Sequence, residues 1–112
     1  MSTVFGMIIE GKLPCTKVFE SERVLAIEDI NPVAPIHILI MPKKPIPDFQ
    51  HVEPQDWPII QEMLEVAQKL AEEKGIADDG YRLLTNNGSN AGQIVFHLHF
   101  HLIGGKRLGH IG

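Results

Sequence analysis

The segment HLHFHLIGG, residues 97 to 105, alternates histidine with large apolar side chains and then breaks into two glycines. Successive side chains of a β-strand point to opposite faces. On a strand, His97, His99 and His101 therefore share one face, and the apolar residues between them share the other. The apolar face is suited to pack on a core, whereas the histidine face is left for other contacts. The pattern predicts a strand over IVFHLHFHLI, residues 94 to 103.

Three interpretations of the histidine face remain open from these residues. Neighbouring histidines on a strand lie roughly 6.6 Å apart and the outer two about 13 Å apart. The outer two cannot readily share one zinc ion, whose nitrogen ligands sit at about 2.0–2.1 Å. A metal site would need a further ligand such as His37, His51 or Cys15.

The second interpretation is a sheet face without chemistry, in which each buried imidazole needs its own hydrogen-bond partners. The third uses neutral imidazole as a nucleophile and proton handler. A histidine that attacks phosphorus forms a labile phosphoramidate, and the loop NNGSNAGQ, residues 86 to 93, offers Asn86 and glycine N–H groups to phosphate oxygens.

The remaining patterns predict an α+β fold around one antiparallel sheet. A short helix is expected over VFGMIIEGK, residues 4 to 12, and a hairpin from TKVFES and VLAIED. A strand is expected over IHILIMP, residues 36 to 42, a long helix from Trp57 to a stop near Gly75, and a strand over YRLLTN, residues 81 to 86. No repeat or linker interrupts the sequence, which predicts a single domain over residues 1 to 112.

Composition narrows the class of protein. The single cysteine, Cys15, excludes an intrachain disulfide and is typical of a reducing compartment. Neither a secretory leader nor an apolar run of membrane-spanning length is visible, so we expect a cytoplasmic protein. The net charge of −4 argues against a general nucleic-acid binder. All 14 acidic residues lie at or before Asp79, so the carboxylate-free remainder favours an anionic ligand.

Several segments along the chain resemble those of a known family. HLHFHLI matches the His-x-His-x-His-x-x pattern of the histidine-triad (HIT) nucleotide-binding proteins, and TVFGMIIEGKLP, AIEDINPVAPIHILIMPKK and GYRLLTNNGSNAGQIVFHLHFHLIGG resemble its other blocks in the same order. The two glycines after the triad resemble the Hint branch, the purine nucleoside phosphoramidases. The resemblance implies a five-stranded antiparallel sheet with two helices, in a homodimer that continues the sheet and packs the long helices together.

The resemblance also implies a role for each site residue. His99 attacks the α-phosphorus of a purine nucleoside 5′-phosphoramidate, His101 contacts the phosphate, and His97 and His37 support the set. Asp29 binds the ribose hydroxyls. Asn86 and the Gly92 backbone contact the phosphate side, and an apolar slot for the base is formed by Phe5, Ile8, Leu13, Ile27 and Ile30. Gln93 and Ile94 are the remaining implied substrate-binding residues. No metal or other cofactor is implied.

Several departures from the family pattern keep alternatives open. Ile94 stands where many Hint-type proteins carry a serine, so a hydroxyl donor is missing. Thr3 and Gly6 stand where some relatives carry zinc-binding cysteines. Longer relatives use a C-terminal tail for substrate selection, and this chain stops at Gly112. The rival activities are hydrolysis of dinucleoside polyphosphates or aminoacyl adenylates, and nucleotide binding in a mainly non-catalytic regulatory protein.

Overall fold

A computed structural model describes residues 3 to 111. The helices are α1 (Val4–Ile9) and α2 (Trp57–Glu73), and the strands are β1 (Lys17–Glu20), β2 (Val24–Glu28), β3 (Ile36–Pro42), β4 (Tyr81–Leu84) and β5 (Phe100–Gly104). All strands join one antiparallel sheet in the order β1-β2-β3-β5-β4. The predicted α+β class, with five strands and two α-helices in this part of the chain, is confirmed.

The two faces of the sheet pack on different helices. Alternate residues of β3, such as Ile38 and Ile40, point towards α2 and form the larger core with Leu98, Phe100 and Leu102. The opposite face carries the smaller cluster, which packs on α1 and contains Phe5, Leu25, Ile27, Leu39 and Met41. Because α1 is only six residues long, this second face has room for an open cleft beside it.

Helix α2 follows the predicted apolar spacing with one difference. Its buried residues are Ile60, Met63, Val66, Ala67, Leu70 and Ala71. Leu64, which the spacing assigns to the core face, is 40 % exposed instead. The chain leaves the helix through Gly75, whose φ of +72° favours glycine.

The last strand is shorter than predicted. It begins at Phe100 rather than at residue 94, so His101 alone of the three alternating histidines lies in a strand. β3 ends at Pro42 and reaches β5 no further than the Ile40–Phe100 pair. Residues 94 to 99 therefore run beside a loop instead of beside β3. The alternation of apolar and polar residues in a sequence does not reveal where its partner strand ends.

No helix within residues 3 to 111 is long and apolar enough to cross a bilayer.

Candidate active site

Strand register brings two histidines together on the sheet face that α1 covers. His101 lies opposite Leu39 and Ile103 lies opposite His37, so His37 is the diagonal neighbour of His101 on the same face. The ring centroids of His37 and His101 are 5.2 Å apart, and those of His99 and His101 are 5.0 Å apart. Residues 64 positions apart in sequence thus form one imidazole row.

Hydrogen bonds to the end of β3 and to two loops hold the segment with the two histidines that precede β5. The Nε2–H of His97 donates to the carbonyl oxygen of Pro42 at 2.7 Å, and the side chain is only 2 % exposed. The backbone N–H of Leu98 donates to the carbonyl oxygen of Ile46 at 2.7 Å. The hydroxyl of Thr85 donates to the carbonyl oxygen of His99, also at 2.7 Å. These bonds replace the strand pairing that this segment lacks.

The tautomers of three histidines follow from their partners. The backbone N–H of Val33 donates to Nδ1 of His37 at 3.2 Å, so a neutral His37 carries its proton on Nε2. That Nε2–H donates to Nδ1 of His101 at 2.9 Å, which leaves the His101 proton on Nε2. The Nδ1–H of His99 donates to the carbonyl oxygen of His97 at 2.7 Å. Nε2 of His99 therefore has a free lone pair.

Burial keeps all four rings neutral near pH 7. Desolvation lowers the pKa of His37, of His97 and of His99, against weaker opposing contributions from Asp29, from the Pro42 carbonyl and from the His97 carbonyl respectively. Desolvation and then the neighbouring His99 and His37 rings lower the pKa of His101 to about 4. Neutral imidazole is the nucleophilic form, so His99 has both the tautomer and the charge state for attack.

The histidine row borders an apolar cleft of about 500 Å³ between α1, β2 and the loop before β5. Of the four triad-related histidines, only His99 and His101 line it. The other site residues predicted from the sequence that line it are Phe5, Ile8, Leu13, Ile27, Asp29, Ile30, Asn86, Gly92, Gln93 and Ile94. His37 and His97 lie behind the lining, where each contacts a residue that does reach the cleft.

Asp29 is shared between a turn and the cleft. Its Oδ1 accepts the backbone N–H of Asn31 at 2.8 Å, and its Oδ2 lies 3.4 Å from Nε2 of His37. Asp29 therefore stabilises the turn, and it uses only Oδ1 for this. The second oxygen is available to a ligand hydroxyl at the cleft wall.

Asp29, His37 and His101 are close enough together to raise the question of a metal. One ligand atom from each lies within 4.8 Å of the other two. However, the Val33 N–H fills the Nδ1 lone pair of His37, so the proton of neutral His37 occupies Nε2, the atom that faces the cluster. A protonated nitrogen cannot coordinate a metal. We therefore assign His37 and His101 to a hydrogen-bond relay that begins at the Val33 N–H.

The loop before β5 presents backbone rather than charged side chains to the cleft. Gly88 and Gly92 have φ values of +83° and +87°, which favour glycine and allow the tight turn between them. Ile94 points outward and is 88 % exposed. An isoleucine this exposed at a cleft rim supplies apolar surface but no hydrogen-bond donor.

Some site residues were missed in the sequence interpretation. Leu39, Cys15 and Val95 also line the cleft. Leu39 could have been found, because it alternates with His37 on β3. Val33 and Thr85 act through a backbone N–H and a hydroxyl in loops, and nothing in their local sequence marks those bonds.

The comparisons with known proteins agree with this geometry. The HIT domain model matches residues 10–108. A HIT-like protein of Chlamydia pneumoniae is 53 % identical over 97 % of this chain and 98 % of its own length. The purine nucleoside phosphoramidase of Escherichia coli K12 is 44 % identical over 96 % of this chain and 90 % of its own. The structure of a HIT family hydrolase from Clostridium thermocellum superposes with a TM-score of 0.93, at 48 % identity over 98 % of this chain and 96 % of that one.

The fold thus places a row of neutral histidines beside an apolar cleft, and the comparisons define the class of protein. The chain belongs to the HIT domain family, and it is a hydrolase.

Proposed function

We propose that this protein hydrolyses the P–N bond of purine nucleoside 5′-phosphoramidates through a nucleotidyl-histidine intermediate on His99. The observation that carries the proposal is the hydrogen bond from His99 Nδ1–H to the His97 carbonyl, which leaves Nε2 of a neutral ring free beside the cleft. The activity named for the E. coli relative supports the choice of substrate.

The chemistry proceeds in two displacements. Nε2 of His99 attacks the α-phosphorus, the P–N bond breaks, and the leaving amine takes one proton from solvent. Nε2–H of His101 holds a phosphoryl oxygen during this step, because the relay from Val33 through His37 fixes that tautomer. Water then attacks phosphorus, the bond to His99 breaks, and one proton returns to solvent. The nucleoside monophosphate leaves and His99 is restored.

The lining of the cleft suits a nucleoside. The side chains of Ile8, Leu13 and Ile27 offer apolar surface for a purine base, and Asp29 offers a carboxylate oxygen for ribose hydroxyls. The Phe5 ring meets the His99 ring edge to face, with centroids 4.8 Å apart. Phe5 thereby steadies the nucleophile as well as lining the base slot.

The phosphate lies in this proposal between His99, Asn86 and the backbone at Gly92. Ile94 contributes no hydroxyl, so phosphate oxygens there depend on backbone N–H groups and on His101. We expect turnover to be slower, or leaving-group preference to differ, relative to relatives with serine at that position.

The two glycines after the triad have a structural explanation that weakens their use as a substrate marker. A Cβ atom on Gly104 would lie 2.8 Å from Cδ1 of Ile76, and Gly105 has a φ of +93°. Packing and backbone conformation therefore require glycine here regardless of the leaving group. Substrates with P–O–P bonds consequently have to be compared directly.

The decisive experiment measures AMP release from adenosine 5′-phosphoramidate by the native protein, by His99→Ala and by His110→Ala. His110 is exposed and does not line the cleft, so His110→Ala is the matched control. We expect the His99 variant to lose activity by on the order of 10³-fold or more, with the control unchanged. Diadenosine polyphosphate and an aminoacyl adenylate are run in parallel. Faster turnover of either would replace the proposed substrate, and nucleotide binding without turnover of any would favour a regulatory protein.

We also propose that two copies of the chain form a homodimer through β4. The other edge strand, β1, carries an ion pair between Lys17 and Glu20, which Lys43 extends, and charges of this kind protect an edge from pairing. β4 has no such pair among the described residues, and Tyr81 on β4 and Leu64 on α2 are partly exposed apolar residues. Light scattering should give twice the chain mass of 12.5 kDa. A mass equal to that of one chain at the working concentration would rule the dimer out.

A further inference from the structure

The side chain of Gln93 is buried between two loops. It is 5 % exposed, although it borders the cleft. Its Oε1 accepts the backbone N–H of Gly88 at 2.7 Å. Its Nε2 donates to the carbonyl oxygens of Pro47 at 2.9 Å and of Val95 at 3.1 Å. The orientation of the amide is unambiguous, because carbonyls only accept and a backbone N–H only donates.

This arrangement uses both amide hydrogens of Gln93. Phosphate oxygens at neutral pH are hydrogen-bond acceptors, so a residue that binds them must have a donor to offer. Gln93 has none left without breaking its part-buried bond to Pro47 or to Val95, and the buried amide would then lose a partner. Gln93, which the family resemblance implies to be a substrate-binding residue, therefore has no free donor to offer a phosphate.

The partner loop receives three donors from the segment that leads into β5. The proline-rich segment, residues 42 to 47, accepts Nε2–H of His97 at Pro42, the N–H of Leu98 at Ile46 and the amide of Gln93 at Pro47. Prolines lack an N–H group, so this segment presents mainly acceptors. Each donor lies between residues 93 and 98, where strand pairing is absent.

We propose that Gln93 is a positioning residue: it ties the Gly88–Gly92 loop to the proline-rich segment and makes no contact with the substrate. The loop closes on itself through bonds from the Ala91 and Gln93 backbone N–H groups to the Gly88 carbonyl. The Gln93 side chain supplies the link from this closed loop to the segment that also holds His97. The loop backbone is thereby kept at a fixed place relative to His99. The benefit for catalysis rests on the proposed function, whereas the link itself does not.

Amide hydrogen exchange of the ligand-free protein, followed by NMR, tests the link without any substrate. In Gln93→Met, the Gly88 N–H loses its acceptor, and we expect its exchange to accelerate about tenfold or more, with its loop neighbours also faster. The core amide of Ile40 should be unchanged if the fold is intact. Gln93→Glu keeps an acceptor for Gly88 but loses both donors, so acceleration should be smaller at Gly88 while the tie to Pro47 is still broken. Gln68→Met and Gln68→Glu, on the exposed face of α2, are the matched controls.

Kinetics with the same variants separate positioning from contact. Both Gln93 variants should lower kcat/KM for adenosine 5′-phosphoramidate by about 10- to 100-fold, because small displacements of binding groups are costly in rate. The dissociation constant for adenosine, which has no phosphate, should be unchanged. Normal exchange at residues 88 to 92 together with reduced activity would overturn the proposal, since it would assign Gln93 a direct contact. If the native protein hydrolyses no phosphoramidate, the proposed function fails, yet the exchange experiment still decides the role of Gln93.

Discussion

His37 and His101 share one hydrogen bond of 2.9 Å. The backbone N–H of Val33, on the other side of the His37 ring, decides which of the two histidines is the donor. Because the Val33 N–H occupies Nδ1 of His37, the only proton of neutral His37 faces His101. His101 must then present its own Nε2–H. A fixed amide in a loop thus determines which atom of a distant imidazole is a donor.

Replacing His37 by phenylalanine should impair catalysis through His101. The His37→Phe ring fills similar space but leaves Nδ1 of His101 without a donor, so the His101 proton is free to occupy Nδ1 instead. We expect kcat to fall on the order of 10²-fold with a smaller change in KM. Nitrogen-15 NMR of the imidazole rings reports the tautomer directly.

The control for this substitution is His51→Phe, because His51 pairs with Asp48 away from the cleft. Its kinetics should match those of the native protein. If His101 of the native protein carried its proton on Nδ1, the relay from Val33 would be incorrect whatever the kinetics of the His37 variant.

Sequence patterns predicted the elements of the fold better than their limits. β3 was predicted at its observed bounds because Pro42 ends it. The strand predicted over residues 94 to 103 was wrong for its first six residues. Alternation shows which side chains point inward, and side chains keep alternating in an extended segment that runs beside a loop. Leu98 is as buried as Leu102, although only Leu102 lies in the strand.

The site was predictable to the extent that side-chain types carry it. The three alternating histidines follow from residue identity and spacing. His37, Asp29 and five apolar residues of the cleft were expected from the family resemblance, which did not include Leu39 or Val95. The direction of the relay does not, because it depends on the backbone N–H of Val33 and the carbonyl of His97. Every residue has a backbone carbonyl and nearly every residue an N–H, so only the fold reveals which of them matter. The same holds for Gln93, whose partners are all backbone atoms.

Stability should decline as pH falls below the ordinary histidine range. The pKa values of four rings are lower in the folded protein than the ordinary value of 6.5, namely those of His37, His97, His99 and His101. The pKa of His101 is about 4. Well above this ordinary value the rings are neutral in both states and contribute no pH dependence. As pH falls below it, the unfolded chain binds protons that the folded chain does not, so the free energy of unfolding decreases.

Chemical denaturation at two pH values, about 7 and about 5, measures this effect. Each histidine contributes a slope of up to about 1.4 kcal/mol per pH unit between its two pKa values. His101→Asn should show a smaller loss between the two pH values than the native protein. An equal loss in both proteins would mean that His101 is not the low-pKa group.

Asp29→Asn should separate the turn from the ligand contact. The amide side chain of this variant keeps an oxygen for the Asn31 N–H, so we expect the turn and the melting temperature to be nearly preserved. The charge that would accept ribose hydroxyls is lost, which should lower kcat/KM for adenosine 5′-phosphoramidate by roughly 10- to 100-fold. Asp79→Asn, an exposed substitution away from the cleft, is the control.

A 2′,3′-dideoxy analogue of the same phosphoramidate tells whether ribose is the group concerned. The native protein should discriminate against it, and Asp29→Asn should discriminate much less. If the variant lost the same factor with both substrates, the effect of Asp29 would act through His37 rather than through the ribose.

Gly104→Ala should destabilise the protein because of Ile76. The new methyl group would lie 2.8 Å from Cδ1 of Ile76 and 3.3 Å from its Cβ and Cγ2 atoms. Ile76 is buried and β-branched, so it cannot rotate away freely. We expect the free energy of unfolding to fall by about 1–3 kcal/mol, as for other overpacked sites. Ile76→Ala makes room for the methyl group, so in the double variant the cost of Gly104→Ala should be largely absent. Urea unfolding of all four proteins closes the cycle, and additive costs would show that the contact with Ile76 is not what requires glycine at this position.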